Sequence, residues 1–137
     1  MNTMCLLIDD DADDQEVFQM ALNRVDPGIE CIAFFDCMMA IERLNADQYI
    51  IPAFIFLDIN MPKMDGLQCL REIRRMEHLK HVTIIMYSTT LDDKIRVLAN
   101  EYGASGFLVK QFSLEDLVKS LSKIFGSLSY DGTTAPS

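Results

Sequence analysis

Short runs of apolar residues alternate along the chain with longer segments in which apolar positions recur every three or four residues. The runs cover residues 4–8, 29–35, 53–57, 82–87 and 105–109. Mostly apolar runs of this length, without regular polar alternation, predict strands buried on both faces. Segment 12–25 predicts a helix burying Val17, Met20, Ala21 and Val25, ended by Asp26-Pro27-Gly28. Segment 38–45 predicts a short helix with weaker periodicity, and 66–76 a third with Leu67, Leu70 and Ile73 on one face. Thr90-Leu91-Asp92-Asp93 resembles a capping box. It would open a helix presenting Leu91, Ile95, Leu98, Ala99 and Tyr102, with Gly103 as a left-handed stop. Ser113-Leu114-Glu115-Asp116 is a second box, followed by the cleanest stripe: Leu114, Leu117, Val118, Leu121, Ile124 and Phe125, with Gly126 predicted to end the helix.

Strands alternating with helices imply right-handed crossovers and a parallel sheet covered on both faces. Five such units predict an α/β doubly wound five-stranded sheet of flavodoxin type, with strand order 2-1-3-4-5. One domain is expected over residues 1–126. Residues 127–137 are rich in Ser, Gly, Thr and Pro and predict a flexible C-terminal tail.

Composition narrows the partners. Twelve Lys and Arg stand against 21 Asp and Glu, a formal charge of -9. That balance argues against direct nucleic-acid binding or an anionic membrane surface. No apolar stretch approaches the roughly 18 residues of a bilayer span, and no basic-then-apolar leader opens the chain. Cys5, Cys31, Cys37 and Cys69 form no C-x-x-C pair and have no histidine at zinc spacing. They are expected to be reduced thiols in a cytoplasmic protein. His78 and His81 are expected to be solvated loop residues.

The predicted strands carry chemistry at one end. The first is followed by Asp9, Asp10 and Asp11; the third runs into Asp58; the fourth into Ser88; the fifth into Lys110. Each has an ordinary explanation alone: acidic residues suit a helix N-terminus, Asp58 a turn, Ser88 a cap. Capping does not require all four to fall at strand ends in one register. In the 2-1-3-4-5 order strands 1, 3, 4 and 5 are neighbours, so these groups converge at the carboxyl edge, where such sheets bind ligands. Clustered carboxylates stay ionised only around a cation. Oxygen donors without His or Cys favour Mg²⁺. A divalent ion, a carboxylate, an ammonium and a hydroxyl suit the holding of a phosphoryl group. An EF-hand reading of Asp9, Asp11 and Asp13 fails, because Asp14 stands where Gly is needed and Met20 where the bidentate Glu belongs.

Four segments resemble the receiver domain of two-component response regulators, the CheY-like family. They are Leu7-Ile8-Asp9-Asp10-Asp11, the stretch from Phe56 through Asp58-Ile59-Asn60-Met61-Pro62 to Gly66, Ile85-Met86-Tyr87-Ser88, and Gly103-Ala104-Ser105-Gly106-Phe107-Leu108-Val109-Lys110. The resemblance covers residues 4–125. It implies that Asp58 is the phosphoacceptor, taking a phosphoryl group from a sensor histidine kinase or a phosphotransfer protein in a phosphorelay. It implies that Asp10, Asp58 and the Asn60 carbonyl ligate Mg²⁺, with Asp9 acting largely through water. Lys110 would pair with Asp58 and then with the phosphoryl oxygen. Ser88 would donate to the phosphoryl group, and Phe107 would be the switch aromatic. The chain would then be a stand-alone cytoplasmic signalling module rather than an enzyme on an outside substrate, though it would catalyse its own phosphorylation and dephosphorylation. It would offer the face of its fourth helix, fifth strand and fifth helix to a downstream protein, or to a second copy as a homodimer, with no membrane insertion.

Two departures stand out. Gln111 replaces the family's proline after Lys110, where a cis bond is usual. The Lys110–Gln111 bond is nonetheless expected to be cis, held by the Lys110–Asp58 pair and packing of Phe112, against roughly 2.5–4 kcal/mol favouring trans. Phe107 lacks a hydroxyl, so its two positions would differ only in packing. The alternatives are a haloacid-dehalogenase-like phosphatase with Asp9 as nucleophile, or a degenerate, phosphate-independent interaction module.

Overall fold

The structure is a computed structural model that describes residues 3–111 and 113–132, with side chains through residue 126. Five parallel strands, β1 (Met4–Ile8), β2 (Glu30–Phe34), β3 (Phe54–Asp58), β4 (Thr83–Ser88) and β5 (Gly106–Val109), form one sheet in the order β2-β1-β3-β4-β5. The helices are α1 (Ala12–Val25), α2 (Cys37–Ala46), α3 (Gly66–Arg74), α4 (Asp93–Glu101) and α5 (Leu114–Gly132), with a 3-10 turn at Glu77–Leu79. This is the expected α/β flavodoxin-type topology.

Alternate strand residues face opposite layers, as the pleat requires. Leu6, Ile8, Ile55, Leu57, Ile84 and Met86 point into a core closed by α2, α3 and α4. Cys5, Leu7, Phe54, Phe56, Ile85 and Tyr87 point into a second core closed by α1 and α5. Every residue of β3 is buried, which explains why that strand is a continuous apolar run up to its terminal aspartate. Phe18 of α1 meets Phe56 edge-on at 4.9 Å, and Phe125 of α5 lies 4.8 Å from Phe54. These aromatic contacts fix the α1/α5 layer.

Several local expectations are corrected. In α1 the buried stripe is Phe18, Ala21 and Leu22, while Val17 and Met20 are 38% and 51% exposed. Two apolar stripes compete there, and Phe18 wins because its ring fills the gap between Phe56 and Tyr87. The N-cap of α4 is Asp92, whose carboxylate accepts from Ile95 N at 2.9 Å, so Thr90 and Leu91 precede the helix. Gly103 does stop α4, at φ 101°. Ser113 caps α5 by accepting from Asp116 N at 3.0 Å. Gly126 does not end that helix, which continues to Gly132. Residues 133–137 of the expected tail, and Phe112, lie outside the described residues. His78 is half-buried, with a buried Nε2 lacking a partner, rather than fully solvated.

The cysteines depart most from expectation. Cys37, at the first position of α2, and Cys69 of α3 form a disulfide across 32 residues. Both were expected as free thiols. The crossover order brings α2 and α3 side by side under one sheet face, which sequence spacing alone does not show. Cys5 and Cys31 are free and sit opposite each other on β1 and β2.

Candidate functional site

Strand register sets the site. Ile8 pairs with Leu57, Asp58 with Tyr87 and Ser88 with Val109, so β1, β3, β4 and β5 end within about one residue of each other. Asp9 continues β1, its N–H donating to Phe34 O at 3.0 Å. Gln15, buried in α1, donates through Nε2 to Asp9 O at 2.9 Å and Phe34 O at 3.0 Å, tying the ends of β1 and β2 together. Asp11 caps α1 by accepting from Asp13 N and Asp14 N, so the third aspartate of the run builds the helix start.

Asp58 is held from its other side. Its Oδ1 accepts from Asn60 N at 3.2 Å. Gly66 opens α3 against the Asp58 backbone, and a Cβ there would lie 2.3 Å from Asp58 O and 2.6 Å from Ile59 Cα. Gly66 N donates to Ile59 O at 2.9 Å, closing the loop from β3 into α3. Glycine is required at this point for close approach of two backbones. Asp65 and Gln68 complete a reciprocal capping box.

The carboxylates of Asp9, Asp10 and Asp58 each place an oxygen within 4.8 Å of the others. Asp9 and Asp58 are buried and Asp10 is exposed. The Lys110 ammonium lies 3.0 Å from Asp9 Oδ2, 3.5 Å from Asp58 Oδ2 and 2.8 Å from Asp14 Oδ2, with the Tyr87 ring centroid at 5.2 Å. Lys110 N donates to Ser88 O at 2.8 Å, so the β4–β5 ladder delivers it. Among the described residues no peptide is cis, the Lys110–Gln111 bond included. The cis expectation is thus overturned: a trans chain still lets Lys110 reach the carboxylates, because the flexible four-carbon stem aims the ammonium. The Ser88 hydroxyl is buried and meets Asn60 Nδ2 and Thr90 N, both at a long 3.4 Å. Phe107 is half-buried, with the Arg96 guanidinium 4.9 Å from its ring centroid.

Burial in a crowd of like charges shapes the titration. Asp58 is pushed up to about 7, first by burial and then by Asp9 and Asp10, with Lys110 pulling the other way. Burial likewise raises Asp9. For Lys110 burial favours the neutral amine, but the hydrogen bond to Asp14 and the nearby carboxylates of Asp9 and Asp58 outweigh it and raise its pKa. Asp9 Oδ2 is buried without an aligned hydrogen-bond donor. Three carboxylate oxygens with one such unsatisfied atom beside them fit a hard divalent cation. Sequence reasoning singled out Asp9, Asp10, Asp58, Asn60, Ser88, Lys110 and Phe107, and did not single out Asp14, Gln15 or Tyr87. The helical spacing of Asp11, Asp14 and Gln15 held a signal: residues three and four apart share the α1 face beside the site.

Comparison with known proteins agrees with this fold. Residues 5–122 match the family model of the response regulator receiver domain. The chemotaxis protein CheY4 of Vibrio cholerae superposes with a TM-score of 0.78 at 27% identity, covering 90% of this chain and 99% of that one. The response regulator Rcp1, in its Mn²⁺-bound form, gives 0.79 at 27% identity over 98% of this chain and 99% of its own. The phosphorylated cyanobacterial phytochrome response regulator RcpA gives 0.84 at 24% identity over the full length of both chains, a likeness of fold.

Proposed function

The chain belongs to the response regulator receiver domain family, and from that premise we propose that it is a phosphoacceptor switch with Asp58 as the acceptor. The observation that carries the reading is the Lys110 ammonium set between Asp9 and Asp58, beside three converging carboxylates. Asp58 attacks the phosphorus of a phosphohistidine on a sensor kinase or phosphotransfer protein. An oxygen–phosphorus bond forms as the phosphorus–nitrogen bond breaks. The electron pair leaves on the imidazole nitrogen, which takes up a proton from water.

Asp10, Asp58 and the Asn60 carbonyl would hold Mg²⁺, with Asp9 behind them. Bound there, the ion would neutralise charge on the transferring group. Lys110 follows the new phosphoryl oxygen as a charge-assisted donor. Ser88, whose hydroxyl has only long contacts, turns to donate to the phosphoryl group and draws its loop inward. Phe107 then repacks behind it, which alters the α4, β5 and α5 face read by a downstream protein or a second copy. Among the described residues no helix is long and apolar enough to cross a membrane. We place the protein in the cytoplasm with its kinase. A disulfide there works against a reducing pool, so alkylation of Cys37 and Cys69 in fresh lysate reports its state in the cell.

The test is incubation with acetyl phosphate and Mg²⁺, followed by intact-mass measurement. Wild type is expected to gain one phosphoryl group and Asp58→Asn none. Equal labelling of both proteins contradicts the assignment.

A further inference from the structure

Lys110 has a third carboxylate partner, one that plays no part in the mechanism above. The side chain of Asp14, in the first turn of α1, places Oδ2 2.8 Å from Lys110 Nζ, the shortest of the three contacts. Asp9 follows at 3.0 Å, and Asp58 is the farthest at 3.5 Å. An ammonium has three protons to donate. Asp14 takes one of them in an aligned hydrogen bond, Asp9 lies beside the ammonium as an ion pair, and the Tyr87 ring flanks it at 5.2 Å. The group that would have to stabilise a phosphoryl group on Asp58 is therefore drawn toward α1.

We propose that Asp14 is a positioning residue that holds the Lys110 ammonium back from Asp58 until a phosphoryl group competes for it. This rests on the phosphoacceptor reading and deepens it. Asp14 is well suited to the part. Its side chain is 39% exposed, against 11% for Lys110 and 5% for Asp58, so water takes over its solvation when the lysine leaves. Asp9 is fully buried and has no such exchange available. An ion pair with one partner open to water is weak enough to break. A phosphoryl group is a stronger partner, with three acceptor oxygens and nearly two charges. The lysine thus has two seats, and Asp14 sets how readily it moves between them.

The experiment measures the rate at which acetyl phosphate and Mg²⁺ label wild type, Asp14→Asn, Asp14→Glu and Asp13→Asn. In the transfer Asp58 gains the phosphorus–oxygen bond and acetate leaves with the pair from the broken one. Asp14→Asn is expected to speed labelling about fivefold, the upper end for a pair of this exposure. Asp14→Glu, which keeps the charge, is expected to return most of the way to the wild-type rate. Asp13→Asn removes the same charge one residue away, from an exposed carboxylate outside the Lys110 contacts, and is expected to change the rate less than about twofold. An ion pair serving stability alone would give unchanged or slower labelling in Asp14→Asn, which overturns the inference. A matching acceleration in Asp13→Asn overturns it too, because bulk charge then explains the effect. In both cases a labelled wild type leaves the phosphoacceptor reading standing. Absence of label from wild type overturns that reading, and this inference with it.

Discussion

Replacing Asp58 by asparagine should stabilise the metal-free protein, by an amount that depends on pH. Asp58 is buried, and its carboxyl sits beside those of Asp9 and Asp10. Its pKa rises from an ordinary 3.8 to about 7. Folding therefore favours the protonated carboxyl. The stability this contributes is complete below the unfolded value near 4 and is lost as pH climbs through about 7. At about 1.4 kcal/mol per unit, the rise corresponds to about 4 kcal/mol lost by pH 8. The attraction of Lys110, 3.5 Å away, is already part of that balance. The net expectation is that Asp58→Asn is about 4 kcal/mol more stable than wild type at pH 8. At about 3 °C per kcal/mol for a domain of this size, Tm rises by about 12 °C. Near pH 4 the two proteins should melt together. The assay is thermal unfolding of both in chelator across pH 4–8, read as the difference between them. A variant no more stable than wild type at pH 8, or a difference that does not shrink toward pH 4, refutes the electrostatic reasoning.

Mg²⁺ should raise the stability of wild type, by about 1.4 kcal/mol at tenfold its dissociation constant, and Asp10→Ala should remove most of that gain. A melting temperature blind to millimolar-scale Mg²⁺ counts against the metal site. Gly66→Ala forces a Cβ to within 2.3 Å of Asp58 O; a stability loss of about 1–3 kcal/mol with slower labelling of Asp58 is expected, and wild-type behaviour in both would show that the loop yields freely. Reducing the Cys37–Cys69 bridge should lower stability to urea by about 3–4 kcal/mol for a loop of this length. Identical unfolding curves with and without reductant would mean that the bridge constrains little.

The fold was legible because its main signals are local and redundant. The solid apolar run ending at Asp58 can satisfy its burial only in the middle of a covered parallel sheet. The capping group of Ser113 and the stop at Gly103 mark helix ends by backbone chemistry. What was not legible depends on partners distant in sequence. The choice between two apolar stripes on α1 is made by Phe56 and Tyr87, 38 and 69 residues beyond Phe18. The meeting of Cys37 with Cys69 is made by the packing of α2 on α3. The trans bond after Lys110 shows that a long side chain can reach its target without the turn that proline supplies. Glycine at 126 was read as a stop, yet its cost inside a helix is only about 1 kcal/mol, and α5 runs past it. Within the site, the residues at strand ends were found because register collects them. Asp14 and Gln15 were missed because they approach from a helix, where the strand-end argument does not look.

The central claim is that the phosphoryl group is carried on the Asp58 carboxylate. An acyl phosphate can be reduced by borohydride to an alcohol, which marks the acceptor permanently as homoserine. Protein labelled with acetyl phosphate and Mg²⁺, reduced, digested and sequenced by mass spectrometry, should carry homoserine at position 58 and nowhere else. Homoserine at position 9, or labelled protein with an intact Asp58, would contradict the account.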